Sequence, residues 1–227
     1  TRNYKAVHYD HGNGVAIADV DNDGLFDIYF LTQVGPNELW RNLGGGKFEN
    51  ITDSSGVALA DRISVTASFA DIDNDGDADL YVTTVRAGNV LFENDGLGNF
   101  NEISDQSGLG YRGHSSSAVF FDYDRDGLLD VFLTNVGTYT TDKLVPATAI
   151  SDGDYSYYLG FTDGFSGHLK PERTEHSILF KNTGGNVFRD VSAEMNLVDT
   201  SWTGAATPID GNSDGWPDLY VLNMQGH

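Results

Sequence analysis

The sequence predicts an all-β chain, a β-propeller made of four-stranded antiparallel blades. Three observations point there. A nine-residue acidic loop occurs four times, as DVDNDGLFD from Asp19, DIDNDGDAD from Asp71, DYDRDGLLD from Asp122 and DGNSDGWPD from Asp210. Each loop runs into a β-branched and aromatic stretch, DIYFLT, DLYVTT, DVFLTN or DLYVLN, which is strand composition. A second strand signal keeps register behind three of the loops: Leu39-Trp40-Arg41-Asn42, Leu91-Phe92-Glu93-Asn94 and Leu179-Phe180-Lys181-Asn182. Short strands recurring every ~50 residues, with little sign of helix, are the pattern of propeller blades.

One repeat therefore reads as strand, acidic loop, strand, strand, tight Gly/Asn hairpin, strand. Strand 2 is apolar at nearly every position, as in Ile28, Tyr29, Phe30 and Leu31, which predicts burial on both faces. Strand 4 is expected in KFENITD from Lys47, NFNEISD from Asn99 and VFRDVSA from Val187. The blades are then expected at 1–53, 54–105 and 106–192, the third carrying an insertion at about 137–175, with a partial fourth at 193–227. The fourth repeat reaches His227 just past strand 2. Half a blade exposes a strand edge and cannot close a ring. The expectation is three complete blades and half of another within a larger propeller, or self-assembly through the open edge.

The loops carry the chemistry. Side-chain oxygens at positions 1, 3, 5 and 9, with glycine at 6, form a cage for a hard cation. The ligands are Asp19, Asp21, Asp23 and Asp27; Asp71, Asp73, Asp75 and Asp79; Asp122, Asp124, Asp126 and Asp130; and Asp210, Asn212, Asp214 and Asp218. Position 7, occupied by Leu25, Asp77, Leu128 and Trp216, is expected to offer its backbone carbonyl, which leaves its side chain free to vary. Carboxylates this crowded repel one another unless a divalent ion lies between them. Gly24, Gly76, Gly127 and Gly215 stand where a sharp turn needs a positive φ. The EF-hand and dockerin loops begin alike, but they take a late acid at position 12 and enter a helix; here the acid is at position 9 and a strand follows. Calcium at about four sites is the expected cofactor, with the fourth site weaker because Asn212 brings no charge.

Composition narrows the partners. The formal charge is −21, and ligand positions supply fifteen of the 34 acidic residues. Nucleic acid and anionic membranes require Lys/Arg patches, so neither is expected as a partner. There is no cysteine, hence no disulfide and no thiolate chemistry. No apolar run has the length of a membrane span, so no membrane insertion is expected. Low-affinity calcium loops serve where calcium is abundant, which places the protein outside the cytosol, secreted or at the cell surface.

The segment GVAIADVDNDGLFDIYF, the Leu-Phe-x-Asn strands and GHLKPERTEHSILFKN resemble the FG-GAP/VCBS repeats of integrin-α-type propellers. They are more closely similar to the secreted proteins that pair such repeats with an ASPIC/UnbV domain, the cartilage-acidic-protein type. The resemblance covers essentially the whole chain, although no repeat shows Phe-Gly followed by Gly-Ala-Pro. It implies a calcium-binding propeller, with seven blades in the parent protein.

In an up-and-down blade, loops after strands 1 and 3 share one face and those after strands 2 and 4 share the other. Calcium thus marks one face. The insertion, with Tyr139, Tyr155, Tyr157, Tyr158, Phe161, Phe165, His168 and His176, belongs to the opposite face, together with His8, His11, His114 and His227. His11, Ile63, His114 and Trp202 each stand eight residues ahead of a first ligand, in equivalent places near the start of the innermost strand. His11, His114, His168 and Tyr158 are the candidates for acid/base work or a transition metal; loop histidines satisfied by hydrogen bonds are the plainer alternative. Glu172, Arg173 and Glu175 read as a solvated or salt-bridged turn. Three functions follow. One is a calcium-stabilised adhesion module that binds a protein or glycan on the non-calcium face. Another is a carbohydrate lyase or dehydratase using the His/Tyr face, and the third is a structural subunit of an assembly.

Overall fold

The computed structural model describes residues 14–147 and 155–224; His8, His11 and His227 lie outside the described residues. The fold is all-β. The first sheet is β1 (Val15–Ala18), β2 (Asp27–Phe30), β3 (Glu38–Asn42) and β4 (Phe48–Asn50), followed by the one-turn helix α1 (Thr52–Ser55). The second repeats this with β5 (Ser64–Ala70), β6 (Asp79–Thr84), β7 (Val90–Asn94), β8 (Phe100–Glu102) and α2 (Ser104–Ser107). The third begins with β9 (Ser115–Phe121) and β10 (Asp130–Asn135), passes through a separate hairpin of β11 (Thr140–Pro146) and β12 (Ser156–Gly160), and resumes with β13 (Ile178–Asn182) and β14 (Phe188–Asp190). The last pair is β15 (Thr203–Ile209) with β16 (Asp218–Asn223). All pairings are antiparallel, and each sheet runs in simple meander order. The described residues form three such sheets and two hairpins, with no closed ring among them.

The sheets stack in sequence, with β1 beside β5, β5 beside β9 and β9 beside β15. Between the first two lies a core of Val20, Tyr29, Leu31, Leu39, Val82 and Phe92. Between the next two lie Ile72, Tyr81, Leu91, Val131, Leu133 and Phe180. Each such side chain contributes about 1.5–3 kcal/mol by leaving water. Burial on both faces holds for β6 and β10, which are buried at every position. It does not hold for β2, where Ile28 is half-buried and Phe30 is 44% exposed, because only one face of the first sheet is covered by a neighbour among the described residues.

Strand 4 is shorter than the sequence suggests. Ile51 ends the strand and Thr52 opens α1, which closes on Gly56 at φ 76°. The reason is a side-chain substitute for the ladder: the Leu39 N–H donates to Thr52 Oγ1 at 2.8 Å, as Leu91 N–H does to Ser104 Oγ at 3.0 Å and Leu179 N–H to Ser192 Oγ at 2.9 Å. Once a hydroxyl has taken the donor, the backbone is free to turn.

Polar staples join neighbouring sheets. The buried Asn37 amide donates to Tyr29 Oη (2.8 Å) and to Ser64 Oγ (2.9 Å) in the next sheet. Asn89 repeats the contact with Tyr81 (3.2 Å) and Ser115 (2.9 Å). Both tyrosine hydroxyls donate to backbone carbonyls, of Val57 and Leu109, so burial leaves them satisfied.

Candidate metal centre

The four acidic loops join β1 to β2, β5 to β6, β9 to β10 and β15 to β16, and all share one local design. Position 1 accepts two backbone N–H groups. Asp19 takes Asp23 (3.1 Å) and Gly24 (2.8 Å), and Asp71, Asp122 and Asp210 do the same with the residues four and five further on. Position 5 accepts the N–H of position 7, as Asp23 does from Leu25 at 2.8 Å and Asp75, Asp126 and Asp214 do from Asp77, Leu128 and Trp216. The glycines at position 6 have φ of 86°, 96°, 89° and 83°, as the turn requires. A second left-handed residue was not foreseen: Asn22, Asn74, Arg125 and Ser213 at position 4 all have φ near 60°. Asparagine at two of these places is the signal for it, since its short amide tolerates that conformation.

Position 9 has two duties. Asp27 accepts from Val20 N–H (2.9 Å) and Asn42 N–H (2.7 Å), Asp79 from Ile72 (3.1 Å) and Asn94 (2.9 Å), and Asp130 from Tyr123 (3.0 Å) and Asn182 (2.8 Å). These aspartates clasp the loop onto strand 3. The asparagine of the Leu-Phe-x-Asn pattern completes the clasp: Asn94 Nδ2 donates to Ala78 O (3.1 Å) and, across the sheet boundary, to Val20 O (3.0 Å). Asn182 does likewise to Leu129 O (3.2 Å) and Ile72 O (2.8 Å). The sequence showed this asparagine only as a repeated letter.

Burial raises the Asp27 carboxyl above its ordinary range, with the Asp21 and Asp23 charges adding to it against the backbone donors. Burial likewise pushes Asp79 up to about 7 and Asp130 up to about 6. Asp77, the extra acid of the second loop, is pushed up to about 6 by burial and then by the charges of Asp75, Asp73 and Asp71. A proton on such a group relieves the same crowding that a divalent cation would.

Ligand atoms converge in three places. Oxygens of Asp19, Asp21 and Asp27, of Asp71, Asp73 and Asp79, and of Asp122, Asp124 and Asp130 lie within 4.8 Å of one another in each trio, so three clusters can hold a metal ion. The donors are carboxylate oxygens throughout, which suits a hard cation. In the first and third trios one buried ligand oxygen, Asp21 Oδ1 and Asp124 Oδ1, has no hydrogen-bond donor; in the second loop the oxygen without one is Asp77 Oδ1, outside the trio. Unpartnered buried carboxylate oxygens are costly, and a divalent cation satisfies them. The residues therefore fit calcium. The fourth loop differs: Asn212 Nδ2 donates to Asp214 Oδ2 at 2.9 Å, and Asp218 is exposed, with no third strand against β16 among the described residues.

On the opposite end, the insertion folds over the starts of the inner strands. Ile63, Val65, Val85, Val136, Tyr139 and Trp202 form one cluster, with Tyr157 and Tyr158 packed on it. His114 joins it, with its ring 4.7 Å from that of Tyr139. The equivalent positions Ile63 and Trp202 thus share a cluster with Tyr139, and His114 touches that tyrosine. His114 is 1% exposed. Its Nδ1 is 2.6 Å from Glu175 Oε1 and its Nε2 is 2.7 Å from Thr140 Oγ1. Tyr158 lies under the Arg86 guanidinium at 5.7 Å, and the His168 ring stands edge-on to Trp202 at 6.1 Å. His176 Nδ1 is 3.0 Å from Asp199 O. The Glu172–Glu175 turn is salt-bridged through Arg173, which bonds Asp163 at 2.8 Å and covers the Phe161 ring at 3.9 Å. Glu175 instead lies half-buried against His114.

Comparison with known proteins agrees with this design. The FG-GAP-like repeat model matches residues 19–82 and 71–133. Cartilage acidic protein 1 of Xenopus tropicalis is 28% identical over 131 residues, and that of Homo sapiens is 28% identical over 138 residues. Each match covers 56% of this chain, and the chain spans only 20% and 21% of those relatives. Among solved structures, an Agrocybe aegerita lectin that recognises non-reducing terminal N-acetylglucosamine covers 91% of this chain and 60% of its own, at 19% identity and a TM-score of 0.37. Repeated acidic loops between strands 1 and 2, strand-3 asparagines that clasp them and the matching model lead to one assignment: the chain belongs to the FG-GAP-like repeat family.

Proposed function

We propose that this chain is a calcium-binding segment of an extracellular β-propeller that acts as a binding or adhesion module for a protein or glycan. The observation that carries calcium is the convergence of three acidic trios, two of which hold a buried carboxylate oxygen that lacks a donor. The propeller reading is supported by the meander order of the sheets and by the succession β1, β5, β9, β15 at their inner edges. Its blades follow the repeats, 1–53, 54–105, 106–192 and 193–227. Extracellular placement is supported by the kinship with cartilage acidic protein 1 and by loops of a kind that suits millimolar calcium. No helix among the described residues is long and apolar enough to cross a membrane.

The non-calcium face is the partner surface in this reading, with tyrosines of the β11–β12 hairpin as its apolar contacts. Non-catalytic use is supported by His114, whose two ring nitrogens are both engaged. The test is metal analysis of the protein after dialysis against equal calcium, magnesium and zinc. Three to four calcium per chain, with little zinc, is expected; zinc bound in preference to calcium would overturn the assignment.

A further inference from the structure

The three acidic trios are not electrostatically equal, and one residue of strand 3 makes the difference. Arg41, Glu93 and Lys181 occupy the same place in β3, β7 and β13, immediately before the clasping asparagine. Arg41 is divided between strand 4 and the first loop, with its shorter contact to strand 4. Its cross-strand partner is Glu49, which it bonds at 2.6 Å, and it makes a longer ion pair with Asp21 at 3.7 Å, a weaker hold than Lys181 has on the third loop. In the second sheet Glu93 adds negative charge, and Asn186 bridges it (2.7 Å) to Asp73 (3.1 Å). The second loop also holds the additional acid Asp77. In the third sheet the cross-strand partner of Lys181 is Arg189, a like charge already taken by Glu194. Lys181 therefore turns inward, and its ammonium bonds Asp124 and, at 2.8 Å, Asp126.

We propose that Lys181 is a tethered cation that competes with the divalent ion of the third loop, so that calcium fills the second loop first and the third last of the three. This rests on the calcium reading above. Two of the third loop's carboxylates already carry a charge-assisted hydrogen bond, which calcium must displace or share. Among the described residues the second loop meets no such cation, and it has one more acid, Asp77, with Glu93 of β7 beside it. The strand-3 residue is thus a specificity-determining position, set in turn by what stands opposite it on strand 4.

The test is a calcium titration of the whole chain followed by amide NMR at Gly24, Gly76 and Gly127, one reporter in each loop. In the wild type, Gly76 should reach its midpoint at the lowest calcium and Gly127 at the highest. Lys181→Met should lower the Gly127 midpoint about tenfold, the equivalent of roughly 1.4 kcal/mol, and leave Gly76 in place. Lys181→Arg, which keeps the charge, should leave the Gly127 midpoint high. A Gly127 midpoint equal to that of Gly76, or one unmoved by Lys181→Met, overturns the inference while calcium binding stands. Absence of any response at all three glycines overturns the calcium reading and this inference together.

Discussion

His114 and Glu175 are sixty-one residues apart in sequence and meet with Nδ1 and Oε1 at 2.6 Å, at the point where the insertion is fastened to the start of β9. The same carboxylate accepts the His114 backbone N–H at 2.6 Å and the Thr138 hydroxyl at 2.8 Å. With the Tyr111 hydroxyl at 3.5 Å, four donors on one half-buried group make it the anchor of the insertion.

Removing that anchor should be costly. Glu175→Gln keeps the shape but loses the charge and one accepting oxygen, so a loss of about 1–3 kcal/mol is expected. His114→Ala removes the Nδ1 contact and empties the site of a buried ring, and should cost more, about 3–5 kcal/mol. Urea denaturation of both variants measures this. A Glu175→Gln variant within about 0.5 kcal/mol of wild type would show that the contact is incidental.

The pH dependence has a definite sign. Burial alone would raise the Glu175 carboxyl, but the His114 hydrogen bond and charge, its backbone N–H and Thr138 outweigh burial and leave it below the ordinary value. A depressed acid contributes stability at neutral pH, and that contribution disappears as pH falls through the folded value. The melting temperatures of wild type and Glu175→Gln should therefore differ most near neutrality and converge below the usual carboxylate range. A difference that stays constant down to the acid transition would contradict this.

Calcium removal should destabilise the chain globally. With extracellular-type affinities and about 1 mM calcium, each site contributes roughly 0.4–1.4 kcal/mol. Chelation should then lower the melting temperature by several degrees, at roughly 2–4 °C per kcal/mol for a chain of this size. Scanning calorimetry with and without a chelator decides it, and superimposed traces would exclude a stabilising role.

The clasping asparagines give a comparison with its own control. Asn182→Ala leaves the buried Ile72 carbonyl and the half-buried Leu129 carbonyl without this donor, at an expected cost of about 1–3 kcal/mol. Asn42 Nδ2 donates instead to the Phe26 carbonyl at 3.0 Å, an exposed contact within its own sheet, so Asn42→Ala should cost less. Equal losses in chemical denaturation would mean that the contact across the sheet boundary adds nothing.

Gly137 holds the turn that brings Thr138 to Glu175. Its φ is 98°, and a Cβ there would lie 2.5 Å from Trp202 Nε1 and 2.7 Å from Arg173 O. Gly137→Ala should lower stability by about 1–3 kcal/mol through strain and overpacking together. Gly24 also has a positive φ but open space around it, so Gly24→Ala should show the backbone part alone. Thermal melts of the two variants separate the contributions.

The acidic loops, the strands after them and the register of the Leu-Phe-x-Asn pattern were determined by the sequence itself, because each is a local code. A turn glycine, a ligand spacing and a β-branched run express their preference within a few residues. The tertiary structure decided what depends on a neighbour. Whether strand 2 is covered on both faces differs between β2 and β6, although both carry the same apolar pattern. His114 read from the sequence as a candidate catalyst, and the fold gives its ring to Glu175 and Thr140. Lys181, a single letter in a strand, turns into an acidic loop because Arg189 stands opposite. Charges, buried donors and packed faces act through space, and their partners here come from chain segments far apart in sequence, so no local pattern could name them.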